Sequence, residues 1–159
     1  MAAGRQTVDT VSDLVSQLRA RCDSGFALAI HIRYTRPSLL YRTYRQEWIE
    51  RYSEKGYMLV DPVVRWGLTH AGGIDWADLA TEDPEGVLAD ARAHGLLHGW
   101  TYSTGPATSR TISGLTRTSG PFSKAEKAEL AAMVDAVHAA TEGMDQFDDA
   151  TMEALRLLG

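Results

Sequence analysis

Residues 44–64 read YRQEWIERYSEKGYMLVDPVV and, with the later Trp76, form the stretch that decides the fold. Within it, Trp48, Tyr52, Asp61 and Trp76 follow the pattern W-x3-Y-x8-D-P-x13-W. The residues on both sides of Asp61 are apolar, so we expect these polar-tipped side chains to be carried into the interior. A buried indole N–H, phenol or carboxylate without a partner costs about 1–3 kcal/mol. The pattern therefore favours a site in which a small molecule supplies part of the hydrogen bonding.

Length, charge and cysteine content limit the class of protein. The 159 residues fit one domain, and a chain of this length buries about 68–70% of its unfolded surface. The net charge of −5 argues against binding a phosphate backbone. The single cysteine, Cys22, excludes an internal disulfide and is typical of a reducing compartment. No apolar run approaches the roughly 20 residues that cross a bilayer. We expect a cytoplasmic protein without a membrane partner.

Helical and extended segments alternate along the chain. Helical spacing and caps predict helices over residues 7–21, 45–56, 85–94, 123–142 and 148–158, with another opened by Asp61-Pro62. Two hairpins are predicted, one from 26 to 44 and one from 99 to 118. This order predicts the α/β class: an α/β/α sandwich with a central antiparallel sheet and helices on both faces.

The same residues resemble the autoinducer-binding domain of LuxR-type quorum-sensing transcription regulators. The resemblance runs from the first helix to about residue 142 and is carried by Tyr44, Trp48, Tyr52, Asp61-Pro62-Val63-Val64, Trp76, Gly95 and Gly99. It weakens in the second hairpin, where the family often has proline at the place of Ser103. It implies an autoinducer-binding domain over residues 1–145. Residues 146–159 would be a C-terminal tail or helix without a complete helix-turn-helix domain.

The resemblance also implies an N-acyl-homoserine lactone as the ligand, held in an enclosed pocket. Nine residues are expected to contact it: Tyr44, Trp48, Tyr52, Asp61, Trp76, Thr116, Leu40, Val63 and Ile112. Trp48 would donate to the lactone carbonyl, Asp61 would accept from the amide N–H, and Tyr44 would donate to the acyl carbonyl. Tyr52 and Trp76 would pack on the ligand, and Thr116 would reach an acyl oxygen. An amide and a lactone offer one donor and two good acceptors, which matches one carboxylate and two neutral donors.

Simpler interpretations stand beside this one. The aromatic residues could be ordinary core, and Asp61 could serve as a helix N-cap, alone or together with ligand binding. Thr116 could be filler of the sheet. His94 and His98 have a metal-like spacing, but glycines interrupt the helix there and no third ligand follows, so we expect no metal and no cofactor. No hydrolase motif is present, so we do not expect an enzyme.

Several functions are compatible with the sequence. The first is a signal receptor, the ligand-sensing domain of a regulator that forms homodimers or heterodimers. The second is a stand-alone domain that modulates a full-length regulator by heterodimerisation or by sequestering the signal. The third is an interaction module with a degenerate pocket that pairs through the alanine-rich helix at 123–142. A fourth is a similar sandwich that binds another small molecule. In none of them do we expect this chain to bind DNA directly.

Overall fold

A five-stranded antiparallel sheet runs through the centre of the structure, a computed structural model that describes residues 2–159. The strand order is β2-β1-β5-β4-β3. The strands are β1 (Phe26–Arg33), β2 (Arg36–Arg42), β3 (Gly72–Asp75), β4 (His98–Thr104) and β5 (Arg110–Arg117). The helices are α1 (Ala2–Arg21), α2 (Gln46–Glu54), α3 (Pro62–Thr69), α4 (Trp76–Leu79), α5 (Val87–Ala93), α6 (Lys124–Ala140) and α7 (Asp149–Arg156). The predicted α/β class with its antiparallel sheet is confirmed.

One face of the sheet carries the large apolar side chains. On β1, Phe26, Leu28 and Ile30 are fully buried and join the main core with residues of α1, α6 and α7. Leu155 of α7 is fully buried in that core, and its carbonyl accepts from the Tyr41 hydroxyl at 2.7 Å. The C-terminal helix therefore packs on the domain. The predicted domain boundary after residue 145 stays a prediction.

The opposite face carries small side chains. Side chains alternate between faces along a strand, so Ala27 and Ala29 of β1 point away from the main core, as do Gly99 of β4 and Gly114 of β5. Helices α3 and α4 pack over β4 and β5 on this side. A smaller apolar cluster joins Trp48 to residues of α5. Small residues on this face let aromatic side chains lie directly on the sheet.

Local signals placed several helix ends correctly. Asp61 is the N-cap of α3, with Pro62 as the first helical residue, and Ser123 with Glu126 forms the predicted capping box of α6. The prediction for 85–94 started too early, since α5 begins at Val87. Asp83 does accept from two backbone N–H groups, each at 2.8 Å, but across a turn closed by Gly86 in the left-handed conformation. Strand β3 and helix α4 were not predicted.

None of the helices within residues 2–159 combines the length and the apolar character needed to cross a membrane.

Candidate functional site

The aromatic part of the site is built on α2. Trp48 and Tyr52 are four residues apart, which places them one above the other on one face of the helix. Trp48 is buried, and its ring centroid lies 5.9 Å from those of both Tyr52 and Tyr57. His94, just after α5, approaches the indole at 5.3 Å from the other side. These contacts thus hold the Trp48 side chain of α2 against the C-terminal end of α5.

Asp61 is a buried carboxylate with two hydrogen bonds. Its Oδ1 accepts from the Val63 backbone N–H at 2.8 Å, and its Oδ2 accepts from the Tyr52 hydroxyl at 2.7 Å. Burial raises the pKa of Asp61 above its ordinary value, and these two hydrogen bonds partly offset that rise. A carboxylate has about four acceptor positions. About two therefore remain for a ligand donor, so Asp61 can cap α3 and still bind an amide.

Tyr44 and Trp76 meet above Gly114 of β5. The Tyr44 hydroxyl donates to the Gly114 carbonyl at 2.8 Å, and the Trp76 indole N–H donates to Thr101 Oγ1 at 2.9 Å. A Cβ atom at Gly114 would stand 2.8 Å from the Tyr44 oxygen and 3.3 Å from the Trp76 ring. The Trp76 ring itself lies directly on Gly99. Both aromatic rings therefore depend on glycine beneath them.

Tyr44 and Trp48, the two predicted hydrogen-bond donors to the ligand, differ in their present partners. Burial raises the pKa of Tyr44 well above its usual range, so the phenol keeps its proton, which is directed at Gly114. The Trp48 indole N–H has no hydrogen-bond partner within residues 2–159. Arg110 Nε is the one fully buried side-chain nitrogen or oxygen of these residues without a partner. The Trp48 N–H is therefore not sealed by protein and is free to donate.

The other four predicted residues lie on the same side of the sheet, and the Val63 backbone N–H is the one that binds Asp61. Thr116 is fully buried, and its hydroxyl donates to the Gly25 carbonyl at 2.7 Å, so its proton is already used. Val63 and Ile112 are buried, the latter against α3. Leu40, in edge strand β2, is 45% exposed. The structure thus brings Tyr44, Trp48, Tyr52, Asp61 and Trp76 into one connected set and leaves Leu40 at an open edge.

Asp90 is a structural residue of the site that sequence reasoning missed. It accepts from the Tyr57 hydroxyl at 2.7 Å and pairs with the Arg51 guanidinium, which ties α5 to α2 around Trp48. Thr101, the partner of Trp76, was missed as well. Its contact with Trp76 depends on the pairing of β3 with β4, which no local pattern records.

Comparison with known proteins identifies the family. A family model described as the autoinducer binding domain matches residues 7–141. The chain belongs to the autoinducer-binding domain family. The transcriptional activator SolR of Ralstonia nicotianae is 28% identical over 131 residues, which covers 80% of this chain and 55% of SolR. The chain thus spans about half the length of this LuxR-type regulator.

Solved structures of LuxR-type proteins share the fold. SdiA of Escherichia coli in complex with octanoyl-rac-glycerol superimposes with a TM-score of 0.65 at 23% identity, covering 91% of this chain and 61% of SdiA. CepR2 of Burkholderia cenocepacia, an N-acylhomoserine lactone dependent factor, gives 0.58 at 17% identity, covering 92% of this chain and 99% of CepR2. These likenesses establish the fold of the domain.

A cavity of about 520 Å³ lies away from this group, on the other side of the sheet. It is lined by His31 and His138, among others, and by none of the nine predicted ligand residues. The two imidazoles stack with centroids 4.1 Å apart. Within residues 2–159, no three His, Cys, Asp or Glu side chains are grouped to hold a metal ion.

Proposed function

We propose that this chain binds an N-acyl-homoserine lactone between the sheet and the α2–α5 layer, as the ligand-sensing domain of a cytoplasmic quorum-sensing regulator. The observation that carries the proposal is the buried Asp61 carboxylate, which has spare acceptor positions. It is joined through Tyr52 to Trp48, whose N–H is free. One charged acceptor and a nearby neutral donor match an amide N–H and a lactone carbonyl. A hydrogen bond to a charged group is worth about 1.5–3 kcal/mol, so Asp61 dominates recognition of the head group.

Tyr44 supplies the second donor after a small change. Its proton points at the Gly114 carbonyl, and an acyl carbonyl placed beside it would compete for that proton. Trp76 and Tyr44 stand over Gly114 and enclose the head group from the sheet side. Thr116 serves as an acceptor or as packing, because its proton is directed at Gly25.

The two structural neighbours are associated with ligands that share an acyl tail and differ in the head group. CepR2 is described as lactone dependent, and SdiA was solved with an acylglycerol. An acylglycerol has no amide N–H, but its glycerol hydroxyls can also donate to a carboxylate. We favour the lactone for this chain because its amide N–H and ring carbonyl together match the Asp61 acceptor and the free Trp48 N–H.

We place the dimer contact of the receptor on α6. Ala128, Ala132 and Ala139 are exposed there, and alanines let a second helix approach closely. Sedimentation of the purified chain, with and without ligand, tests this contact.

Thermal unfolding tests the proposed ligand. Octanoyl-homoserine lactone, its ring-opened form octanoyl-homoserine and octanoyl-rac-glycerol share a tail and differ in the head. At one hundred times its dissociation constant, a ligand adds about 2.7 kcal/mol, or about 5–10 °C in Tm for a chain of this size. We expect that rise with the lactone and, with each of the others at the same concentration as the lactone, a clearly smaller one. Equal shifts for all three, or none with the lactone, would contradict the proposal.

A further inference from the structure

The tip of the β1–β2 hairpin carries a tyrosine in a conformation that favours glycine. Tyr34 and Thr35 form the turn between the paired residues Arg33 and Arg36, and Tyr34 has a φ of 61°. The favoured two-residue hairpin turns need a positive φ at their first residue, which glycine or asparagine adopts most readily. Within residues 2–159, eight glycines have a positive φ, and His31 and Tyr34 are the only other residues that do. A tyrosine at this position therefore strains the backbone.

Contacts inside the protein compensate the strain at His31 but not at Tyr34. The buried His31 ring is hydrogen-bonded to Ser109 Oγ at 2.7 Å and to the His138 carbonyl at 3.0 Å. The Tyr34 side chain is 99% exposed, so its own fold gains nothing from it. A strained and fully exposed aromatic residue indicates a contact with another molecule.

The cavity lined by His31 and His138 begins at the base of the same hairpin, since Arg33 and Ser38 line it as well. Its apolar lining residues are Met144, Phe147 and Met152. Thioethers and aromatic rings both pack favourably on another aromatic ring. The volume of about 520 Å³ lies within the range of pockets that hold drug-sized ligands. The cavity therefore has room for a phenol ring and suitable walls for it.

The cavity also offers a partner for a phenol hydroxyl. His138 Nδ1 is bound to Thr111, whereas its Nε2 forms no hydrogen bond within residues 2–159. This nitrogen is not among the fully buried atoms without a partner, so another molecule can reach it. A tyrosine side chain entering the cavity can thus be hydrogen-bonded as well as packed.

The charges of the tip and of the cavity are opposite. Arg33 and Arg36 of the tip are exposed. Three exposed carboxylates line the cavity, those of Glu142, Asp145 and Asp149. None of these five side chains forms an ion pair within residues 2–159, whereas Arg156, which also lines the cavity, is paired with Glu153 at 3.6 Å. The unpaired charges of the tip therefore match those of the cavity in a neighbouring molecule.

We propose that the tip, residues 33–36, of one chain binds in the cavity of a second copy, with Tyr34 between the apolar walls and Arg36 against the carboxylates. Tip and cavity lie side by side on one molecule. A two-fold axis between them lets each copy place its tip in the cavity of the other, which is the self-complementary arrangement of an isologous pair. This contact needs no lactone and is separate from the contact on α6. Together the two contacts build assemblies larger than a dimer.

Sedimentation of Tyr34→Gly tests the tip. Glycine suits the turn, so the variant should unfold at the same Tm as the native chain or at a higher one. Its self-association should nevertheless be at least about tenfold weaker. Leu59→Ala, at a residue that is 86% exposed outside the tip and the cavity, should associate like the native chain. Native self-association in Tyr34→Gly would overturn the proposal and leave the cavity to another occupant.

Exchange of charges tests the pairing of tip and cavity apart from the α6 contact. Arg36→Glu makes the tip less basic and Asp145→Arg makes the cavity less acidic, so each variant alone should self-associate at least about tenfold more weakly. An equal mixture of the two should regain most of the association, because each altered surface then meets its complement and the two native surfaces meet each other. Arg65→Glu, exposed on α3 across the sheet, should associate normally. A mixture that associates no better than its components would overturn the proposal.

Discussion

At the scale of single residues, Asp61 combines the predicted helix cap with a hydrogen bond to the aromatic group. One oxygen caps α3 and the other holds Tyr52. About two acceptor positions of the carboxylate have no partner, and Trp48 in the neighbouring aromatic group keeps a free N–H. The raised pKa means that the folded state holds a proton more tightly than the unfolded chain does. Ionisation above that pKa therefore costs folding stability at neutral pH. The proposed binding role of Asp61 gives a reason for keeping this charge despite its cost.

Asp61→Asn separates binding from folding. An asparagine oxygen still caps the helix, and the buried charge is gone, so the empty variant should be at least as stable as the native chain at neutral pH. Lactone affinity should fall at least about tenfold. Asp61→Ala, the matched variant, should lose the same affinity and also about 0.5–2 kcal/mol of stability with the cap. Urea unfolding and ligand titration measure the two effects. Native affinity in Asp61→Asn would remove this carboxylate from the site.

Gly99 shows how a residue without a side chain controls an aromatic one. A Cβ atom there would collide with the Trp76 ring, which lies on the strand. Gly99→Ala should displace Trp76 from its bond to Thr101 and weaken lactone binding at least about tenfold, with loss of stability as for other overpacked sites, about 1–3 kcal/mol. Ala77→Gly, an exposed change beside Trp76, is the control. Tryptophan fluorescence and titration follow both. An unaltered Gly99→Ala variant would mean that Trp76 does not contribute to the site.

At the scale of elements, α6 offers a stability test that leaves binding untouched. The Ser123 hydroxyl accepts from the Glu126 backbone N–H at 3.1 Å, and the Glu126 carboxylate accepts from the Ser123 backbone N–H at 2.8 Å. Ser123→Ala should cost about 1 kcal/mol in urea unfolding. Its lactone affinity should match that of the native chain, because α6 packs on the other face of the sheet. A loss of affinity in this variant would show that the two faces are coupled.

The helices and strands also show which sequence signals are sufficient to predict where an element begins. Asp61-Pro62 and Ser123-x-x-Glu126 predicted helix starts correctly, because capping is decided within a few residues. Strand β3 escaped prediction because Gly72 and Gly73 hide its pattern, and its pairing with β4 is a tertiary contact. The predicted start of α5 was too early because Gly86, in the left-handed conformation, forms a turn between Asp83 and the first residue of the helix.

The candidate site was only partly predictable, because some of its contacts are local and others depend on the pairing of distant strands. The four-residue spacing of Trp48 and Tyr52 follows from helix geometry alone. The partners Gly114 and Thr101 come from distant strands, and their register is not readable from one sequence. The exposure of Leu40 depends on how far α3 extends over the sheet, which no local pattern records.

At the scale of the whole molecule, we expect His138 to make the folding stability depend on pH. Burial and the neighbouring His31 lower its pKa below 6.5, while Glu142 and Asp135 act in the opposite direction. The unfolded chain therefore takes up the proton first, and stability present above 6.5 is lost as the pH falls below it. We expect Tm to drop as the pH falls below 6.5 and His138→Gln to reduce that drop. His70→Gln, at an exposed histidine, should not. An equal pH dependence in both variants would contradict this assignment.

The whole account depends on where the lactone lies in the folded molecule, and a crystal structure with octanoyl-homoserine lactone locates it directly. We predict the amide nitrogen at hydrogen-bonding distance, about 2.9 Å, from an Asp61 carboxylate oxygen, with the lactone carbonyl beside Trp48 Nε1. A lactone found in the cavity lined by His31 and His138, with Asp61 still bound only to Tyr52 and Val63, would contradict the account.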